Sequence, residues 1–124
     1  MHSAIRTHPS ELPFPFSQAT EVKGILYLSG QVAMTKEGKP LHGNVTKQTQ
    51  QIMQQLDTTL SSLASSLDRI FKVTVWLSSM DHFSEFNAEY ARWFAEGFPA
   101  RSVISSPLAF DLDVEIEVQA LAAQ

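Results

Sequence analysis

The sequence predicts an α+β domain, a mixed β-sheet carrying two helices on one face. Apolar residues recur at helical spacing in two segments and alternate at strand spacing in others. These segments follow one another as strands, helix, strand, helix, strands. Helix-length crossovers between consecutive strands favour right-handed βαβ units, which lay both helices on the same side of the sheet. At 124 residues the chain fits one domain, residues 1–124. With 44% hydrophobic and 18% charged residues it can bury a core, which excludes the disordered and low-complexity classes.

Residues 1–19 carry Pro9, Pro13 and Pro15 and read as an extended arm. Strand-like patterning starts at Val22, and Ile25 to Leu28 runs into Ser29, Gly30 and Gln31. There Gly30 marks a bulge or a close backbone approach. Residues 36–40 form a turn. Asn44 then caps a helix with apolar positions at Ile52, Leu56, Leu60, Leu63 and Leu67, widened by Met53 and Ala64. Its other face is Gln, Thr and Ser, so packing must supply most of its stability. Ile70 to Leu77 alternates as a half-buried strand, with Phe71, Val73, Val75 and Leu77 on one side.

A second helix begins near Asp81, stacks Phe83, Phe86, Tyr90, Trp93 and Phe94 in one stripe, and ends at Gly97. Helical periodicity alone accounts for that stripe as core. Two short strands follow, 102–105 and 112–121. In the second, Leu112, Val114, Ile116 and Val118 share one face, and Asp113, Glu115, Glu117 and Gln119 the other. Trp76 and this carboxylate-bearing strand suggest that a second subunit covers the sheet's far side.

Composition narrows the chemistry. The net charge of -4, with Asp111, Asp113, Glu115 and Glu117 crowded near the end of the chain, argues against a nucleic-acid partner. No cysteine is present, which excludes disulfides and thiolate chemistry. No apolar stretch approaches the ~18 residues that span a bilayer, and residues 1–6 lack the blocks of a signal peptide. A cytoplasmic protein with no membrane partner is expected. His2 and His8 lie in the arm, His42 in a turn and His82 at a helix start, with no metal-ligand spacing among them. No phosphate-cradling glycine motif or nucleophile elbow occurs, so neither a metal nor a cofactor is expected.

What remains is the run Phe98, Pro99, Ala100, Arg101, Ser102, which sets an arginine where an apolar turn enters a strand. Glu115 follows on the polar face of the final strand. A guanidinium can grip a carboxylate through two parallel hydrogen bonds, and a carboxylate in a partly dry cleft can take a proton from water. The same two residues also read as an ordinary ion pair at a surface or interface.

These residues resemble the RidA/YjgF family, which has also carried the labels endoribonuclease L-PSP and translation initiation inhibitor. The resemblance rests on Pro15 to Ala19, Ser29-Gly30-Gln31, Val73 to Leu77, Asp81 to Phe83 leading to Asn87 and Tyr90, Phe98 to Ser102, and Val114 to Glu117. It implies a chorismate-mutase-like fold of the bacillus type, assembled as a homotrimer. Three sheets would form a central barrel, with helices outside and a cleft between each pair of subunits. Family members with the arginine hydrolyse enamines and imines such as 2-aminoacrylate to 2-oxo acids and ammonia.

By that resemblance Arg101 holds the substrate carboxylate and Glu115 helps activate water, with Glu117 as the reserve candidate. Phe16, Ser29, Gly30, Asn87 and Val103 match further cleft positions. The Ser29 hydroxyl could equally satisfy its own strand or turn, and Asn87 could be structural within its helix. The sequence departs from the family pattern at Phe16, where the family has a tyrosine, and at Val103, often a cysteine. It departs again in a slightly shortened segment before Glu115. Two other readings stand beside the deaminase: a noncatalytic trimer that binds small carboxylates or a partner, and the ribonuclease of the older label, against which the acidic balance weighs.

Overall fold

A computed structural model describes residues 4–123; Met1, His2 and Ser3 of the arm and Gln124 lie outside the described residues. Six strands form one mixed sheet: β1 (Arg6–Pro9), β2 (Ser17–Val22), β3 (Ile25–Leu28), β4 (Ile70–Leu77), β5 (Ala100–Ser105) and β6 (Val114–Leu121). Their order is β1-β2-β3-β6-β4-β5, with β4 and β5 parallel and every other pair antiparallel. Helix α1 (Val45–Ser62) joins β3 to β4, and α2 (Phe83–Tyr90) joins β4 to β5. Because β6 inserts between β3 and β4, the first crossover passes over a strand, whereas the second closes onto a direct neighbour.

The arm is more ordered than its prolines suggest, for its backbone groups pair with the sheet as β1 and β2. Pro9 stands at the end of the edge strand β1, beside a register shift, where a missing donor interrupts no ladder. Helix α1 starts as expected: Asn44 Oδ1 accepts from the Lys47 amide at 2.8 Å. It ends at Ser62, short of Leu67. Ala64 adopts φ 61°, and the amides of Ala64 and Ser65 bond back to the carbonyls of Ser61 and Leu60. This is the hydrogen-bond pattern of a Schellman terminus, built on alanine where glycine would be less strained. Leu67 falls in the 3₁₀ turn that follows and still packs against the core.

A register shift between Ile70 and Lys72 turns Ile70 inward and leaves Phe71 40% exposed, so Phe71 does not share the face of Val73, Val75 and Leu77. Helix α2 spans only two turns between 3₁₀ segments, and it stops well before Gly97. Phe86, Tyr90 and Phe94 of its stripe are buried, but Phe83 is partly exposed. Leu112 is buried ahead of β6 rather than within it.

One face of the sheet carries the core. Leu26, Leu28, Val73, Val75, Leu77, Val114, Ile116 and Val118 meet Ile52, Met53, Leu56 and Leu60 of α1 and Phe86 of α2. Each such side chain, fully buried, contributes roughly 1.5–3 kcal/mol of hydrophobic stabilisation. The opposite face carries Tyr27, Trp76, Ile104, Glu115, Glu117 and Gln119, with Trp76 standing between Ile104 and Glu115 in register. Neither helix covers it.

Candidate functional site

Arg101 lies on β5 opposite Val73, so it projects to the helix-bearing face. There α2 presents Phe83, Phe86, Asn87 and Tyr90 at offsets of helical periodicity, a single stripe that receives the arginine. Arg101 Nη1 donates to Asn87 Oδ1 at 2.9 Å. Its Cζ sits 5.0 Å from the ring centroid of Tyr90 and 5.9 Å from those of Phe83 and Phe86. Three aromatic faces and one amide oxygen thus fix the guanidinium, and cation–π attraction stabilises its charge. Val103, two residues on, shares this face and packs on the core.

Beside Arg101 opens a hollow of about 350 Å³, lined by Asn87, Tyr90, Ala91, Phe98, Pro99 and Arg101. Tyr90 is buried, and none of the described residues hydrogen-bonds its hydroxyl. Burial pushes its phenol up to about 12, with the nearby Arg101 charge acting in the opposite direction, so it stays protonated at neutral pH.

Glu115 lies opposite Trp76 on the uncovered face. Burial raises its carboxyl above the ordinary 4.5, and the charge on Glu117 raises it further. Gly30 approaches it closely: a Cβ at that position would overlap Glu115 Oε2, so the glycine leaves the carboxylate its place, and its backbone conformation does not call for glycine. The bridge that pairs Gln31 with Ile116 holds this approach in register. The Ser29 hydroxyl donates to the Ser17 carbonyl at 2.6 Å, which locks β3's exit onto β2. Phe16 adjoins Ser17, is 43% exposed, and stacks on Phe14 with ring centroids 6.1 Å apart.

The residues expected to act together therefore form two groups within one chain. Arg101, Asn87 and Val103 occupy the helix face at the β5 edge. Glu115, Gly30 and Ser29 gather on the other side of the sheet with Phe16 beside them, and Glu117 shares the face of Glu115. The aromatic seat of Arg101 is not legible in the sequence, because helical periodicity alone accounts for Phe83, Phe86 and Tyr90 as core. The available signal was Asn87, a polar residue set within that apolar stripe. Among the described residues no cluster of three or more His, Asp or Glu side chains could hold a metal ion, and no helix is long and apolar enough to cross a membrane.

An edge-strand arginine seated on an aromatic helix, with a half-buried carboxylate on the reverse of the same sheet, marks a small α+β protein. The Endoribonuclease L-PSP family profile matches residues 9–124. The chain belongs to this family, the RidA/YjgF group that its motifs resemble. It is similar to protein HMF1 of Saccharomyces cerevisiae, 37% identical over 109 residues that cover 88% of this chain and 84% of the relative. The crystal structure of yeast Mmf1 superposes with a TM-score of 0.88 at 34% identity, covering 96% of this chain and 99% of that one. A Rid-family protein of unknown function, YyfA from Yersinia pestis, gives 0.88 at 33% identity, with 96% and 100% covered.

Proposed function

We propose that the protein hydrolyses reactive 2-imino acids and their enamine tautomers to 2-oxo acids and ammonia. The observation that carries this reading is Arg101, tethered to Asn87 and seated on three rings at the edge of a hollow that is otherwise largely apolar. One guanidinium N–H is committed to Asn87, which leaves donors for a carboxylate. A carboxylate held there fixes the adjacent C=N carbon, and a positioned carboxylate base can deprotonate the water that adds to it. Collapse of the resulting carbinolamine expels ammonia and leaves the 2-oxo acid. The imine carbon is already electrophilic, so orientation and a base suffice.

Glu115 is the base in this reading. It reaches Arg101 only if the β5 edge of one copy meets the uncovered face of another, as in a homotrimer with a cleft at each subunit boundary. The uncovered apolar residues Trp76 and Ile104, in register with Glu115, support such a contact. Sedimentation equilibrium should then give three times the 13.8 kDa chain mass.

The test is hydrolysis of imines generated in situ by an amino acid oxidase, with wild-type protein beside Arg101→Ala and Arg101→Lys. Loss of turnover in both variants is expected, because lysine cannot reproduce the bidentate fork. Full activity in Arg101→Ala would overturn the reading. A second reading, a noncatalytic binder of small carboxylates, draws on two observations: Phe16 offers no hydroxyl, and that of Ser29 is already engaged. Saturable binding of a 2-oxo acid without acceleration of imine decay would select it. RNA cleavage that disappears with Arg101 would favour the ribonuclease of the family label.

A further inference from the structure

We propose that the hollow beside Arg101 receives a large apolar side chain, and that Phe98 selects 2-imino acids that carry one; this rests on the deaminase reading above. Arg101 is the only charged residue lining the hollow, and Asn87, the other strongly polar one, already spends its side-chain oxygen on Arg101. The remaining walls come from Tyr90, Ala91, Phe98 and Pro99. A ligand whose carboxylate lies on Arg101 therefore meets, from this chain, the walls of Tyr90, Ala91, Phe98 and Pro99, with the base of the neighbouring copy left to face its C=N carbon. The volume, about 350 Å³, falls in the roughly 300–1,000 Å³ range of pockets that enclose drug-sized molecules. A three-carbon imino acid would leave most of it to water, whereas a benzyl or isobutyl side chain would displace that water from the apolar wall.

Phe98 is placed to form this wall. At 66% it is the most exposed large hydrophobic side chain among the described residues. Single exposed apolar residues are ordinary; this one borders the hollow that contains the anion-binding cation. Gly97 precedes it at φ +133°, a backbone conformation that L side chains rarely adopt, so the turn delivering Phe98 to the rim depends on glycine. On its inner side Phe98 meets Phe94 edge-on, with centroids 6.4 Å apart, which braces the ring against the core.

The experiment measures kcat/KM for imines generated from alanine, leucine and phenylalanine, with wild type, Phe98→Leu and Phe98→Ala. In parallel, calorimetry measures binding of pyruvate and 2-oxo-3-phenylpropanoate to the same proteins. Wild type should favour the phenylalanine-derived imine over the alanine-derived one by roughly tenfold or more, as apolar contact in a fitted site provides. Phe98→Ala should cut that ratio by about tenfold, with Phe98→Leu in between. A wild-type preference for the alanine-derived imine, or equal losses on both substrates, would overturn the proposal while leaving the deaminase reading intact. If wild type accelerates no imine, the deaminase reading fails and binding decides. Tighter binding of the phenyl compound that weakens in Phe98→Ala upholds the pocket, and equal binding of the two 2-oxo acids, or none, overturns it.

Discussion

Replacing Gly30 with alanine separates the site from the fold. Gly30 does not adopt the left-handed backbone that favours glycine, so alanine introduces no conformational strain there. The added methyl would overlap Glu115 Oε2 and sit 3.3 Å from Glu115 Cδ. Ordinary van der Waals separation then requires the carboxylate to withdraw by about 1 Å. A carboxylate is the far end of a rotatable side chain, and an off-rotamer displacement costs about 0.5–1.5 kcal/mol. In a domain of this size the melting temperature should fall by no more than about 6 °C. Misplacement of a reacting group by about 1 Å, by contrast, lowers rate on the order of a hundredfold. Thermal unfolding monitored by circular dichroism, alongside imine hydrolysis, measures both. Wild-type turnover in Gly30→Ala would refute the role of Glu115, and loss of the folded state would refute the claim that the carboxylate yields.

Three further outcomes follow from individual side chains. If Glu115 is the base proposed above, it must be ionised to accept a proton, and kcat/KM should fall as pH drops through its raised pKa. Glu117→Gln removes one of the two causes of that rise, and the acid limb of the pH profile should move to lower pH; an unmoved limb would show that another group sets it. Tyr90→Phe deletes a buried hydroxyl that no described residue hydrogen-bonds, so the variant should melt at the wild-type temperature or above, since an unsatisfied buried group costs about 1–3 kcal/mol. A lower melting temperature would reveal a partner for that hydroxyl. Asn44→Ala deletes the cap of α1 and should destabilise the fold by about 1 kcal/mol in urea titration while leaving kcat intact.

The sequence revealed what depends on short-range periodicity. The cap at Asn44, the inward set Val114, Ile116 and Val118, and the outward placement of Glu115 and Glu117 follow from spacing alone, and each holds. Features that turn on one residue's backbone did not show. The extra residue at Phe71 inverts a face without altering the alternating pattern. Ala64 closes α1 in a left-handed conformation that composition assigns to glycine. Three prolines concealed two strands, because pairing with β3 and the edge position of β1 are tertiary facts. For the site, Arg101 was legible as a residue type in a turn-to-strand context. Its seat was not, for it requires the parallel register that sets Arg101 beside Val73 and under α2.

The opposed placement of Arg101 and Glu115 yields a test that separates a site shared between copies from one built within a single chain. Arg101 shares its side of the sheet with Val73, whereas Glu115 stands beside Trp76 on the reverse. No side-chain rotation carries either group through the intervening β4. If each cleft takes Arg101 from one copy and Glu115 from the next, Arg101→Ala and Glu115→Gln are each inactive alone for different reasons. Mixed in equal amounts, unfolded together and refolded, they assemble at random. A cleft is intact only when its arginine comes from a Glu115→Gln chain and its glutamate from an Arg101→Ala chain, each with even odds. The mixture should therefore regain about a quarter of wild-type activity in a closed ring of identical interfaces. Native mass spectrometry verifies that mixed assemblies form. An inactive mixture that nonetheless contains them would show that arginine and glutamate do not meet across subunits, and would move the proton-accepting role away from Glu115 to a group on the helix face.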